Sequence, residues 1–134
     1  MTNLEITQSI YEAFGRGDIS HILGLLAQEV VWDHDLPSYG VGYLEPCSGR
    51  EEVGKFFAGL DVLEFQRFEP VNFLVGGDQV AVTIRSSLVN KNTDRHLTDF
   101  EVHIWTFGPD GLVTRFVHVV DRHAHAAAWR DEDV

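Results

Sequence analysis

A chain of 134 residues with 44% hydrophobic and 23% charged side chains has the size and make-up of one globular domain, spanning residues 1–134. Twenty-one acidic against ten basic residues give a net charge of −11. With no Lys/Arg cluster in that balance, nucleic acid and acidic membrane surfaces are not expected partners. The lone Cys47 permits neither an internal disulfide nor a cysteine-based metal site. No apolar run approaches the ~20 residues of a membrane span, and the acidic N-terminus lacks the basic start of a secretory signal. A cytoplasmic location is the expectation. Histidine is over-represented, with seven residues at 21, 34, 96, 103, 118, 123 and 125.

Leu4, Ile6, Ile10, Tyr11 and Phe14 follow helical spacing, with Thr2 or Asn3 as cap and Gly15 to Gly17 as stop. Asp18 reads as the N-cap of a second helix carrying Ile19, Ile22, Leu23, Leu25 and Leu26. Glu29 to Asp33 reads as a short strand. The Gly- and Pro-containing segment 35–48 is long enough to be a lid-like loop. Ser48, paired with Glu51 as a capping box, opens a third helix whose stripe is Val53, Phe56, Phe57 and Leu60. Four strand-like segments follow at about 62–75, 79–90, 97–107 and 112–121, punctuated by Gly76-Gly77-Asp78, Asn90 to Asp94 and Gly108 to Gly111. Asp121 ends the last strand and caps what comes next, and His123-Ala-His125 reads as an exposed terminal stub. Helices followed by an antiparallel meander form an α+β layout.

Strand parity sorts these segments into two faces. One is aliphatic: Val80, Val82 and Ile84 with Val102, Ile104, Val113, Val117 and Val119. The other mixes aromatic and ionisable groups: Arg85 and Ser87 with Glu101, His103, Trp105, Phe116 and His118. Three helices cover one face, so the mixed face is expected to line a pocket. The aliphatic face is expected to meet a second copy of the chain in a homodimer.

The motifs Tyr11-x-Ala13-Phe14-x-x-Gly17-Asp18, Val31-Trp32, Gly49 with Val53-x-x-Phe56-Phe57, Gly77-Asp78-x-Val80, His103-x-Trp105, Gly111-x-Val113-x-x-Phe116 and Asp121 occur in a characteristic order. Together they resemble the SnoaL-like and ketosteroid-isomerase-like branch of the NTF2-like superfamily, over about residues 4–127. The resemblance implies a conical α+β barrel, a curved antiparallel sheet wrapped around three helices from the N-terminal half. It also implies an apolar pocket and dimerisation through the outer sheet face. The isomerase's carboxylate base falls at or beside His34, between Asp33 and Asp35, its acidic oxyanion donor falls on His103, and its tyrosine falls one residue from Tyr11. Limonene-type epoxide hydrolases would share Arg85, but Ser87 and His118 replace their aspartates. The acidic position of the polyketide cyclases also falls near His118.

Carboxylates of the family have thus become imidazoles. A carboxylate titrates near pH 4 unless perturbed, whereas an imidazole titrates at roughly 6.5. His34, His103 and His118 are the candidate proton shuttles. Asp33 or Asp35 would orient His34, and Glu101 or Arg85 would set the charge at His103. Tyr11, Trp32, Asp35, Phe56, Phe57, Arg85, Trp105 and Phe116 are the candidate substrate contacts. The reading is a cofactor-free isomerase, cyclase or dehydratase acting on a small hydrophobic carbonyl compound. The alternative is a non-catalytic module that binds a small molecule in the same pocket. Convergence of the three imidazoles discriminates between the two. The imidazoles come from separate segments with no His-x-His spacing among them, so no metal is expected.

Overall fold

The computed structural model describes residues 1–134. Helix α1 (Asn3–Gly15) starts with a reciprocal capping box between Thr2 and Glu5. Helix α2 (Ile19–Gly24) is capped by Asp18, whose carboxylate accepts from the His21 amide. It stops at Gly24, earlier than the leucine run suggested. Leu26 instead begins strand β1 (Leu26–Trp32), because the Leu25 carbonyl is taken by the Val113 amide of the sheet. Strand β2 (Cys47–Ser48) is short, and helix α3 spans Arg50–Gly59. Its N-cap is Gly49, at φ 86°, not Ser48, and the Ser48 amide donates to Glu52 rather than Glu51.

Strands β3 (Leu63–Gly76), β4 (Gln79–Asn90), β5 (Arg95–Phe107) and β6 (Val113–Val119) form the meander, and helix α4 (Arg122–Trp129) closes the chain. The six-stranded sheet has the order β2-β1-β6-β5-β4-β3. All neighbours are antiparallel except β1 and β6. Register shifts in β3 after Phe65 and after Pro70 add local twist and bend the strand. Pro70 is tolerated because β3 is an edge strand with no neighbour on one side.

The register corrects the expected sorting of faces. Val80, Val82 and Ile84 lie opposite Trp105, His103 and Glu101, so β4's aliphatic residues share the inner face with the ionisable groups. A shift between Thr106 and Phe107 also turns Val113 inward. The outer face carries Ala81, Thr83 and Arg85 with Phe100, Val102, Ile104, Val117 and Val119.

Two apolar clusters hold the fold. The larger joins α1, α2 and α3 to the inner sheet face through Ile10, Ile22, Val53, Val82, Trp105 and Phe116. The smaller joins Val41, Tyr43 and Leu44 to Leu63, Leu88, Leu97, Ala126 and Ala128. The segment 35–48 is therefore anchored by buried side chains and is not a free lid. Residues 122–129 are a docked helix, not a terminal stub.

Candidate functional site

Three residues of β5 and two of β6 form the floor of a cavity. His103 pairs with His118 and Trp105 with Phe116 across the strands, and Glu101, two residues before His103, shares their face. Tyr11 reaches the floor from α1. Its hydroxyl accepts from Trp105 Nε1 at 2.9 Å and lies 2.6 Å from His103 Nδ1. The other ring nitrogen, His103 Nε2, lies 3.2 Å from Glu101 Oε1, and His118 Nε2 lies 3.9 Å from Glu101 Oε2.

The direction of this chain follows from the donors. Indole N–H only donates, so the Tyr11 oxygen accepts and its hydrogen goes to His103 Nδ1. His103 Nε2 then carries the ring proton and donates to Glu101. Burial keeps His103 below its ordinary pKa, against the opposing pull of Glu101, so this imidazole is neutral. Burial pushes the Tyr11 phenol well above its ordinary value, and the phenol stays protonated. Burial alone would raise the Glu101 carboxyl, but hydrogen bonding and electrostatic interaction with His103 and His118 outweigh it. They hold Glu101 well below the usual carboxylate range. The floor is thus a carboxylate facing two imidazoles, one of them locked in a single tautomer.

A second polar group is built by segments that strand parity does not reach. Tyr43, in the 3₁₀ turn Gly42–Leu44, hydrogen-bonds His125 Nδ1 of α4 at 2.5 Å. Burial, reinforced by nearby His118, lowers the His125 imidazole to about 4. Burial and the charge of Glu101 push the Tyr43 phenol well above its ordinary range. Asp33 and Arg122 dock α4 beside this group. Arg122 donates to Asp33 Oδ1 at 2.7 Å, to the His118 carbonyl at 2.8 Å and to the Pro37 carbonyl at 2.9 Å. Asp33 Oδ1 also accepts from the His118 amide, and Asp33 adopts φ 61° to do so. The pair therefore fixes the backbone of one floor histidine and the start of the closing helix together.

The floor and the Tyr43–His125 pair line a cavity of about 70 Å³, partly open to solvent. Its walls are aromatic. Trp32 stacks on Phe116 with centroids 4.1 Å apart, and Phe56, Phe57, Phe14, Phe65 and Phe68 continue the lining. Among the candidates from the sequence, Tyr11, Trp32, Phe56, Phe57, Trp105, Phe116, His103 and His118 all line it. Three do not. His34 is exposed and bonds the Cys47 carbonyl at 2.8 Å and Ser48 Oγ at 3.1 Å, because the left-handed turn at Asp33 carries it past the strand end. Asp35 is paired with Arg115 on the surface. Arg85 projects from the outer face over the Phe100 ring, 5.5 Å from its centroid, because register places it opposite Phe100 and not beside Glu101. Tyr43 and His125 were missed. The Asp121 cap followed by an alanine-rich stretch was the available sign of α4; Asp121 does cap it, accepting from the Ala124 amide.

Glu101, His103 and His118 offer ligand atoms that all lie within 4.8 Å of one another. Such a set, two imidazoles and a carboxylate, suits divalent transition metals. The hydrogen bonds of the floor favour another use. A metal on His103 Nε2 would reverse the ring tautomer and leave the Tyr11 hydroxyl hydrogen without an acceptor.

Residues 7–116 match the model of the SnoaL-like domain. The chain superposes on an NTF2-like protein of Burkholderia pseudomallei with TM-score 0.81 and 26% identity, covering 96% of this chain and 98% of that one. It matches TerC, solved co-crystallised with polyporic acid, with TM-score 0.78 and 28% identity over 96% and 98% of the two chains. A Mesorhizobium loti protein described as a SnoaL-like polyketide cyclase shares the fold, with TM-score 0.71 and 21% identity over 88% and 98%. Comparison with curated proteins gives no match. No helix is long and apolar enough to cross a membrane. On its own residues and on these matches, the chain belongs to the SnoaL-like family within the NTF2-like superfamily.

Proposed function

We propose that the protein is a cofactor-independent enzyme that moves a proton at carbon next to the carbonyl of a small cyclic or aromatic compound. Isomerisation, cyclisation or dehydration follows as the outcome. The observation that carries this reading is the buried carboxylate of Glu101 beside two cavity-lining imidazoles at the end of an aromatic cavity. Ionisable groups perturbed by burial and by a specific charge partner, lining an apolar cavity, mark a candidate site.

His118 lines the cavity, and its one polar approach inside the protein is Nε2 to Glu101 at 3.9 Å, so this imidazole is the group that takes the proton from carbon. The imidazolium that forms lies 3.9 Å from Glu101, whose charge stabilises it. His103, held by Tyr11, keeps Glu101 oriented and does not compete for the proton. The aromatic walls exclude water and align the ring of the substrate. TerC, a relative crystallised with polyporic acid, is consistent with a cyclic ligand. The outer sheet face, with Phe100 and Val119 exposed, is the surface through which a second copy would pair, and sedimentation equilibrium tests that.

The test of the reaction needs no knowledge of the product. 2-Tetralone carries acidic hydrogens between its ring and its carbonyl. In deuterated water, proton removal and return of a solvent deuteron appear directly by NMR. The wild type is expected to accelerate exchange, and Glu101→Gln to lower that acceleration by ~10²–10⁴-fold. Equal exchange by both proteins would leave the binding-module reading in its place.

A further inference from the structure

The cavity carries a second polar pair, Tyr43 and His125, that the proton-transfer scheme does not use. His125 is 2% exposed and lines the cavity. Its Nδ1 is engaged by Tyr43, while its Nε2 has no partner in the protein. The Tyr43 hydroxyl likewise has one partner only, that same Nδ1.

Counting donors and acceptors fixes the proton. If Nδ1 donated to Tyr43, the hydroxyl hydrogen and the Nε2 lone pair would both be left without partners in a buried site. If the hydroxyl donates to Nδ1, both of those needs are met, and Nε2 carries the ring hydrogen. One unmet group costs less than two. Burial keeps the ring neutral, so the group is an uncharged donor, the kind of imidazole suited to polarising a carbonyl.

We infer that His125 Nε2–H, set by Tyr43, is the hydrogen-bond donor to the substrate's carbonyl oxygen and to the enolate oxygen that forms from it. The inference rests on the proton-transfer reading and completes it. His118 and Glu101 take the proton from carbon. The electron pair of the broken C–H bond moves into the C–C bond beside the carbonyl, and the carbonyl pair moves onto oxygen, which His125 holds. The substrate class narrows accordingly, to a fused or linked ring ketone whose enol is planar and close to a phenol.

2-Naphthol, the aromatic analogue of the 2-tetralone enol, is the probe. Titrated into the wild type, it is expected to bind and to move the His125 Nε2–H resonance downfield. His125→Phe is expected to weaken 2-naphthol about tenfold and to lower 2-tetralone exchange by ~10²-fold, the usual loss for one oxyanion donor. His125→Gln, which restores an N–H near the same place, recovers part of both. Thermal melts of each variant separate folding from binding. The wild-type resonance keeps the test open should the Phe variant unfold. Failure of 2-naphthol to bind, or binding that leaves the His125 resonance and the His125→Phe affinity unchanged, overturns the inference. Naphthol binding that depends on His125, in a protein that exchanges no tetralone proton, would sink the proton-transfer reading and keep His125 as a ligand donor.

Discussion

At the sheet end of the cavity, polar groups stand on two adjacent strands and are wired to one another. At the helix end, they come from a loop turn and the last helix, and are wired outward to tyrosine alone. Glu101 gives the sheet end a permanent charge, held by two imidazoles. His125 and Tyr43 give the helix end none. The difference teaches how one apolar cavity can hold both a charged group and a neutral donor. A charged end suits the removal of a proton, and a neutral donor suits the oxygen that gains negative character. The Asp33–Arg122 pair ties the ends together, since it holds the His118 backbone and α4 at once.

The largest effect expected from breaking this division is at Glu101. Substitution by Gln removes the charge but keeps the shape, so exchange should fall by orders of magnitude, and the urea midpoint should drop as well, because the fold stabilises the charged carboxylate. An exchange rate that survives would erase the distinction between the ends. Next is the tie. Asp33→Ala leaves Arg122 buried without a counter-charge, which costs about 3–5 kcal/mol. Urea denaturation should show that loss, and hydrogen exchange in α4 should rise before that in β5.

The third effect is acid sensitivity. The folded His125 takes a proton only near 4, while the unfolded chain takes it at 6.5. The unfolded state therefore binds more protons between those values, and stability falls as pH drops from about 6.5 to 4. At about 1.4 kcal/mol per unit, this one residue accounts for about 3 kcal/mol. His103 acts in the same direction. Glu101 adds its own loss only below the ordinary carboxylate value, 4.5. In His125→Gln the upper part of the slope should flatten. The smallest effect is at His34, where Ala should change neither exchange nor stability beyond about 0.5 kcal/mol, because the side chain is exposed and outside the cavity.

The sequence made the sheet end legible. His103 and His118 alternate correctly within their strands, and Trp105 and Phe116 flank them with the same parity. Parity gives the faces of one strand, however, and not which face of the next strand adjoins it. That is why Val80, Val82 and Ile84 were placed outside and Arg85 inside. The pairing of Val82 with His103 reverses both assignments. The helix end was not legible for a different reason. Tyr43 and His125 are 82 residues apart, and neither lies in a periodic pattern that points toward the other. His34 was counted inward by chain distance, yet one left-handed residue before it redirects the chain.

Nitrogen-15 NMR of the imidazole rings across pH tests the central claim, a charged Glu101 together with neutral, tautomer-locked His103 and His125. The account requires His103 and His125 each to carry one proton, on Nε2, at neutral pH. His125 should titrate near 4 and His103 below its ordinary value. A titration of either ring at the ordinary 6.5, or a proton on Nδ1 in place of Nε2, would contradict it.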